Sequence, residues 1–171
     1  RRSMAGELDF ETALDKRVAM LAGKPKELVD QITANSKLTD GARILVQTMR
    51  ANGAFCYLVS GGFDFLTRSI AAECGFHDHH ANQLIHDETT ISGTVLKPVL
   101  DRQAKVTYLS HYCQLHNVDF TDIASIGDGA NDLGMLNRTG FGVAFHGNPI
   151  LRETVALQLN HTNLTGLLYL Q

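Results

Sequence analysis

Asp128 and Asp132 stand four residues apart, with the amide of Asn131 between them, in the run Ile123-Ala-Ser-Ile-Gly-Asp-Gly-Ala-Asn-Asp132. The run opens as a short β-branched stretch and breaks into a Gly-rich turn, so it predicts a strand that ends by presenting two acids and an amide. Open α/β sheets hold their ligands at that carboxyl edge. Oxygen donors that are few and partly carboxylate suit Mg²⁺ held together with a substrate phosphate. The same residue types also build ordinary Asx-rich turns, so the run by itself leaves both readings open. It is not a dinucleotide fingerprint, because Asp132 stands where the third glycine would be needed.

Two further stretches carry polar groups of the same kind. Ala54-Phe-Cys-Tyr-Leu-Val59 is a continuous apolar run of buried-strand type. It ends in Ser60-Gly61-Gly62 and passes into a helical stretch that closes at Gly75. A hydroxyl and free backbone N–H groups at a helix start would face one anion, and a capping serine is the plainer alternative. Lys105 falls in the first turn of a helix predicted over Asp101 to Asn117, on the face of Leu109 and Tyr112. A cation there opposes the helix dipole, which suggests another partner such as a phosphate, against the alternative of an exposed lysine. A hydroxyl with backbone amides, a cation and metal-binding carboxylates at three successive βα junctions are the equipment of phosphoryl transfer.

The elements that must position these groups follow from spacing. Residues 1 to 33 read as helices. Asp9 is the expected N-cap, with Phe10, Leu14, Val18 and Leu21 at helical intervals before Gly23. Arg17 shares that stripe, either snorkelling to water or meeting a ligand. Pro25 fits a first helical position ahead of Leu28, Val29 and Ile32. From Thr39 onward helices and strands alternate. Ala42, Leu45, Val46 and Met49 form a helical face stopped by Gly53. His80 to His86 and Thr90 to Leu96 read as a β-hairpin turning at Asp87-Glu88-Thr89. Cys74, His77, His79 and His80 match no structural zinc spacing and are read as a surface turn. Phe141 to Phe145 is a strand, Asn148-Pro149 opens a helix, Leu157 to Leu159 is a last strand, and Leu164 to Leu170 closes as an amphipathic segment. Such alternation calls for a doubly wound parallel sheet.

The chain of 171 residues carries a net charge of −3 and 44% hydrophobic residues, which bounds it to one domain or a core with a small insertion. That charge gives no electrostatic case for nucleic acid or an anionic membrane as partner. No apolar run approaches the roughly 20 residues that span a bilayer, and the first residues lack a signal-type apolar segment. Three cysteines (Cys56, Cys74 and Cys113) without paired spacing are expected as reduced thiols of a cytoplasmic protein.

The chain clearly resembles the haloacid dehalogenase superfamily, and within it the phosphoserine phosphatases, over essentially its whole length. The likeness rests on Met4-x-Gly-x-Leu-x-Phe10 with Arg17, Val59-Ser-Gly-Gly-Phe63, Ala81-Asn-x-Leu84, Lys105, Gly127-Asp-Gly-Ala-Asn-Asp132 and Ala144-Phe-His146 with Pro149. The resemblance implies a Rossmann-like core at residues 36 to 171, with the hairpin at about 80 to 96, and a small helical cap at residues 1 to 35. It implies that Ser60, Gly61 and Lys105 bind phosphate, that Asp128 ligates Mg²⁺, and that Asn131 and Asp132 orient the site. Met4, Phe10 and Arg17 would then recognise the substrate phosphoserine, with Arg17 on its carboxylate, a task that suits a guanidinium fork.

One departure stands beside these matches. The family's nucleophile is the first aspartate of an Asp-x-Asp-x-Thr motif on its first strand, and nothing in this chain matches it. The expectation is therefore a fragment whose missing partner is an N-terminal segment of the same protein, inactive by itself. A relative acting on another phosphomonoester, a phosphotransferase to an alcohol and a non-catalytic phosphoserine-binding module are the alternatives. A response-regulator-like phospho-acceptor fits the acidic motif less well. Oligomeric state is not fixed by the sequence, and a homodimer is compatible with it.

Overall fold

The computed structural model describes residues 10–169. The N-cap expected at Asp9, the site residue Met4 and Leu170 at the end of the closing segment lie outside the described residues. Contacts divide the chain into two units, one of residues 10–37 with Tyr57–Asp101, the other of Leu38–Cys56 with residues 102–169.

In the first unit, α1 (Phe10–Ala19) buries Leu14 and Val18 at the helical interval that the sequence predicts. Gly23, at φ 72°, ends the turn that follows. Pro25 departs from expectation: it bridges Thr90 in antiparallel fashion, and α2 (Glu27–Asn35) starts after it. A proline lacks an N–H and is tolerated at such an edge as well as in a first helical turn. A strand, β1 (Tyr57–Phe63), then leads into α4 (Asp64–Cys74), which closes on Gly75 at φ 88°. β2 (Asp78–Asn82) lies parallel to β1.

The expected hairpin is shorter than its sequence suggested. Its arms are β3 (Leu84–His86) and β4 (Ile91–Val95), while His80, Ala81 and Asn82 belong to β2. The stretch read as a surface turn around His79 and His80 is thus a strand, and Cys74 is fully buried in α4. Along β4, buried Ile91, Gly93 and Val95 alternate with exposed Ser92 and Thr94, the period of a sheet with one covered face. Leu14, Val18, Val29, Leu84, Ile91 and Val95 pack as one core. Gly93 sits at φ 82°, and a Cβ there would come 2.6 Å from the Cβ of Ala22, so the hairpin rests directly on the exit of α1.

In the second unit, α3 (Ala42–Ala51) buries Leu45 and Val46 and stops before Gly53 at φ 85°. α5 (Arg102–His116) follows its predicted span to within a residue at each end. β5 (Ala124–Gly127), β6 (Phe141–Phe145) and β7 (Leu157–Leu159) form a parallel sheet in that order. Between them run α6 (Leu133–Leu136) and α7 (Pro149–Thr154), the latter capped by Asn148 Oδ1, which accepts from Leu151 N at 3.0 Å. Val143, Ala144 and Leu151 are wholly inaccessible at the centre. Parallel strands joined by helices give the α/β class that the alternation called for. Among the described residues, no helix is long and apolar enough to cross a membrane.

Candidate active site

The loop after β5 is built around one carboxylate. Asp132 is 3% exposed. Its Oδ2 accepts from the backbone N–H of Asp128 (3.1 Å) and of Gly129 (3.0 Å), and its Oδ1 accepts from Lys105 Nζ. Lys105, 7% exposed in the first turn of α5, thus has the compensating charge that its place against the helix dipole demanded. Both oxygens of Asp132 serve the protein itself, so this residue holds the loop and Lys105 in place. Glycine is needed in this tight packing: a Cβ at Gly127 would fall on the Asp132 carboxylate and one at Gly129 on Asn131 Oδ1. A hydrogen bond from Asn148 N to Asp128 O (3.0 Å) ties the loop to the one after β6.

What the loop offers outward is Asp128. It is exposed, and its carboxylate has no hydrogen-bond partner among the described residues. Asn131 lies half-buried in the 3-10 turn Ala130–Asp132 beside it. No group of three or more His, Cys, Asp or Glu side chains able to hold a metal occurs among the described residues. A single hard carboxylate still fits Mg²⁺, which keeps several waters and borrows phosphate oxygens.

In the first unit, Ser60 and Gly61 lie inside β1, not in a turn at a helix start. Three extended residues follow Ser60 before α4, whose first residue, Asp64, is an acid paired with Arg68 at 3.0 Å. The helix dipole therefore does not back Ser60, contrary to the strand–turn–helix reading. The strand also starts later than the apolar run: Phe55 is 57% exposed and stacks on His116. Between Val59 and Phe63 the ladder jumps, with Val59 opposite His80 and Phe63 opposite Asn82. The irregularity spans Ser60-Gly61-Gly62, two of whose three residues have no side chain to misplace. Phe10 packs on Gly61, its Cζ 3.3 Å from where a Cβ would stand.

Arg17 is exposed on α1, its Nε donating to Ala13 O at 3.2 Å, with no carboxylate partner among the described residues. Lys97, to which the sequence assigned nothing, ties the strap after β4 to α1 through Glu11 (2.7 Å) and Asp15 (2.9 Å). The structure thus joins Lys105 with Asp132 and the Asp128 loop in one unit, and Phe10 with Gly61 in the other.

Comparison with known proteins decides the family. The profile of the haloacid dehalogenase-like hydrolases matches residues 2–137. The chain belongs to this family. It is 39% identical over 168 residues to a phosphoserine phosphatase of Streptomyces coelicolor, covering 98% of this chain and 41% of that protein. It is 34% identical to a phosphoserine phosphatase of Lactococcus lactis, covering 97% of this chain and 77% of that one. Among solved structures it matches a phospho-aspartyl intermediate analogue of phosphoserine phosphatase with a TM-score of 0.90 and 32% identity, over 98% of this chain and 80% of the other. The haloacid dehalogenase fold, an α/β arrangement of parallel strands and helices, is therefore the fold of this chain. The chain spans about two fifths of the length of the Streptomyces relative.

Proposed function

We propose that the protein carrying this chain is a Mg²⁺-dependent phosphoserine phosphatase, releasing L-serine and phosphate in the last step of serine biosynthesis. The observation that carries the reading is the buried Lys105–Asp132 pair beneath an unpartnered Asp128, in a family whose named relatives are phosphoserine phosphatases. Asp128 would hold the metal, with Asn131 beside it, and the ion would supply charge neutralisation at the transferring phosphoryl group. Ser60, Gly61 and Lys105 would bind the phosphate oxygens. An aspartate outside the Asp-x-Asp-x-Thr-free residues 1–171 would attack phosphorus as the serine hydroxyl leaves. Water would then cleave the acyl phosphate, the kind of intermediate for which the relative's structure carries an analogue. That aspartate belongs, in this reading, to a further segment of the same protein.

Residues 1–35 serve in this reading as a substrate cap on a core of residues 36–171. Arg17 keeps its terminal guanidinium nitrogens for the substrate carboxylate, and Met4 and Phe10 share in recognising the substrate. The substrate is a small molecule, and a homodimer is compatible with the reading. Three free cysteines, two of which (Cys56 and Cys113) have their thiols raised chiefly by burial, accord with the cytoplasm.

The test is Arg17→Ala in the full-length protein. Losing a charge-assisted contact should raise KM for phosphoserine roughly thirtyfold while p-nitrophenyl phosphate changes little. Equal losses on both substrates would reject the amino-acid specificity and favour a general phosphomonoesterase. The absence of an Asp-x-Asp-x-Thr run keeps one other reading in view, a module that binds phosphoserine without hydrolysing it. Full-length protein with phosphoserine affinity and no phosphate release would favour it.

A further inference from the structure

Asn82 ends β2 and is 3% exposed. Its Oδ1 accepts from Leu100 N at 2.6 Å, while its Nδ2 donates to Gly61 O at 2.9 Å and reaches Leu100 O at 3.4 Å. The partners are one N–H and two carbonyls, so the amide can sit only this way round. A buried carboxamide with every contact satisfied could be mere architecture. What distinguishes this one is the peptide that it grips.

The carbonyl of Gly61 and the N–H of Gly62 belong to one peptide plane. Asn82 holds the carbonyl end, and the N–H end donates to Ser60 Oγ at 3.0 Å. The plane is thus pinned at both ends, in the glycine stretch where the β1–β2 ladder jumps and backbone alone would leave it free to turn. The consequence falls on Ser60. A hydroxyl has one proton and accepts through its lone pairs. One of its lone pairs accepts from Gly62, and among the described residues its proton has no acceptor. Were the Gly61–Gly62 plane to turn, that amide would leave Ser60 Oγ, and the hydroxyl could rotate freely.

We infer that Asn82 is a positioning residue, which acts through the Gly61–Gly62 peptide to hold the Ser60 hydroxyl as a donor toward a phosphate oxygen. The inference rests on the phosphate-binding reading of Ser60 given above. Asn82 touches no substrate. It fixes which way the group that does so points.

A double-mutant cycle read by calorimetric binding of inorganic phosphate to the full-length protein tests this without relying on turnover. Ser60→Ala and Asn82→Ala should each weaken phosphate binding roughly tenfold, the scale of one hydrogen bond to a charged acceptor. The double variant should be within about twofold of Ser60→Ala alone, because the second change has nothing left to orient. If the two losses multiply, Asn82 acts on the fold and the inference is overturned, whatever the melting temperature does. If Ser60→Ala leaves binding unchanged, the phosphate role of Ser60 fails and takes the inference with it. If Asn82 alone leaves binding unchanged, only the inference fails. Should Asn82→Ala not fold, Asn82→Ser serves in the same cycle, since its hydroxyl is too short to hold Gly61 O and Leu100 N together.

Discussion

Lys105 and Asp132 are each nearly inaccessible, and neither has another counter-charge among the described residues. Removing one partner of such a pair leaves an uncompensated buried charge, which costs about 3–5 kcal/mol. Lys105→Met should therefore destabilise the protein by that order in urea titration. Lys105→Met with Asp132→Asn should recover most of the loss, since the asparagine oxygen still accepts from the backbone N–H groups of the loop. A Lys105→Met protein as stable as the parent would overturn the stabilising role given to the pair. Lys105 could be singled out from sequence because it breaks the dipole rule at a helix start. Asn82 was legible only as part of the Ala81-Asn-x-Leu84 likeness. It breaks no rule of spacing, and its role lies in partners 18 and 21 residues away in the chain.

At the scale of elements, the hairpin turn owes its form to one side chain. Asp87 Oδ1 accepts from the backbone N–H of Thr89 (2.8 Å) and Thr90 (2.7 Å), and Oδ2 accepts from the Thr90 hydroxyl (3.0 Å). These bonds, the Thr89 amide foremost, hold its carboxyl down to about 2 from an ordinary 3.8. A depressed acid contributes stability above its unfolded value and loses it as pH falls through the folded one. The melting temperature of Asp87→Asn should accordingly trail the parent at neutral pH, with the gap closing between about pH 4 and pH 2. A gap that persists at pH 2 would assign the effect to shape. This turn was legible beforehand, since Asp-Glu-Thr between two alternating arms signals a hairpin. The start of β2 was less so, and the sequence pattern places His80 to Asn82 in the wrong strand. The polar pair Asp78-His79 looks like surface, yet Thr67 Oγ1 meets His79 Nδ1 at 3.0 Å. Tertiary hydrogen bonds overrode the local pattern.

At the scale of the whole chain, alternation alone was enough to reach the α/β class, because each buried strand between two amphipathic helices leaves few other ways to cover a parallel sheet. Where β1 begins was less legible, since an unbroken apolar run such as Ala54 to Val59 cannot say which end enters the ladder. Residues 1–171 contain no Asp-x-Asp-x-Thr run. Purified by themselves, they should release no phosphate from phosphoserine above background in a malachite-green assay. Release at the rate of the full-length protein would move the nucleophile onto an aspartate within residues 1–171.

The contact of Gly93 with Ala22 ties the drift of two positions 71 residues apart. A larger residue at either place would push the hairpin off α1, so a tolerated change at one is admissible only alongside a shrinking or a shift at the other. A library that randomises both positions should return almost only glycine at 93, because its φ of 82° penalises any other side chain even where residue 22 is small.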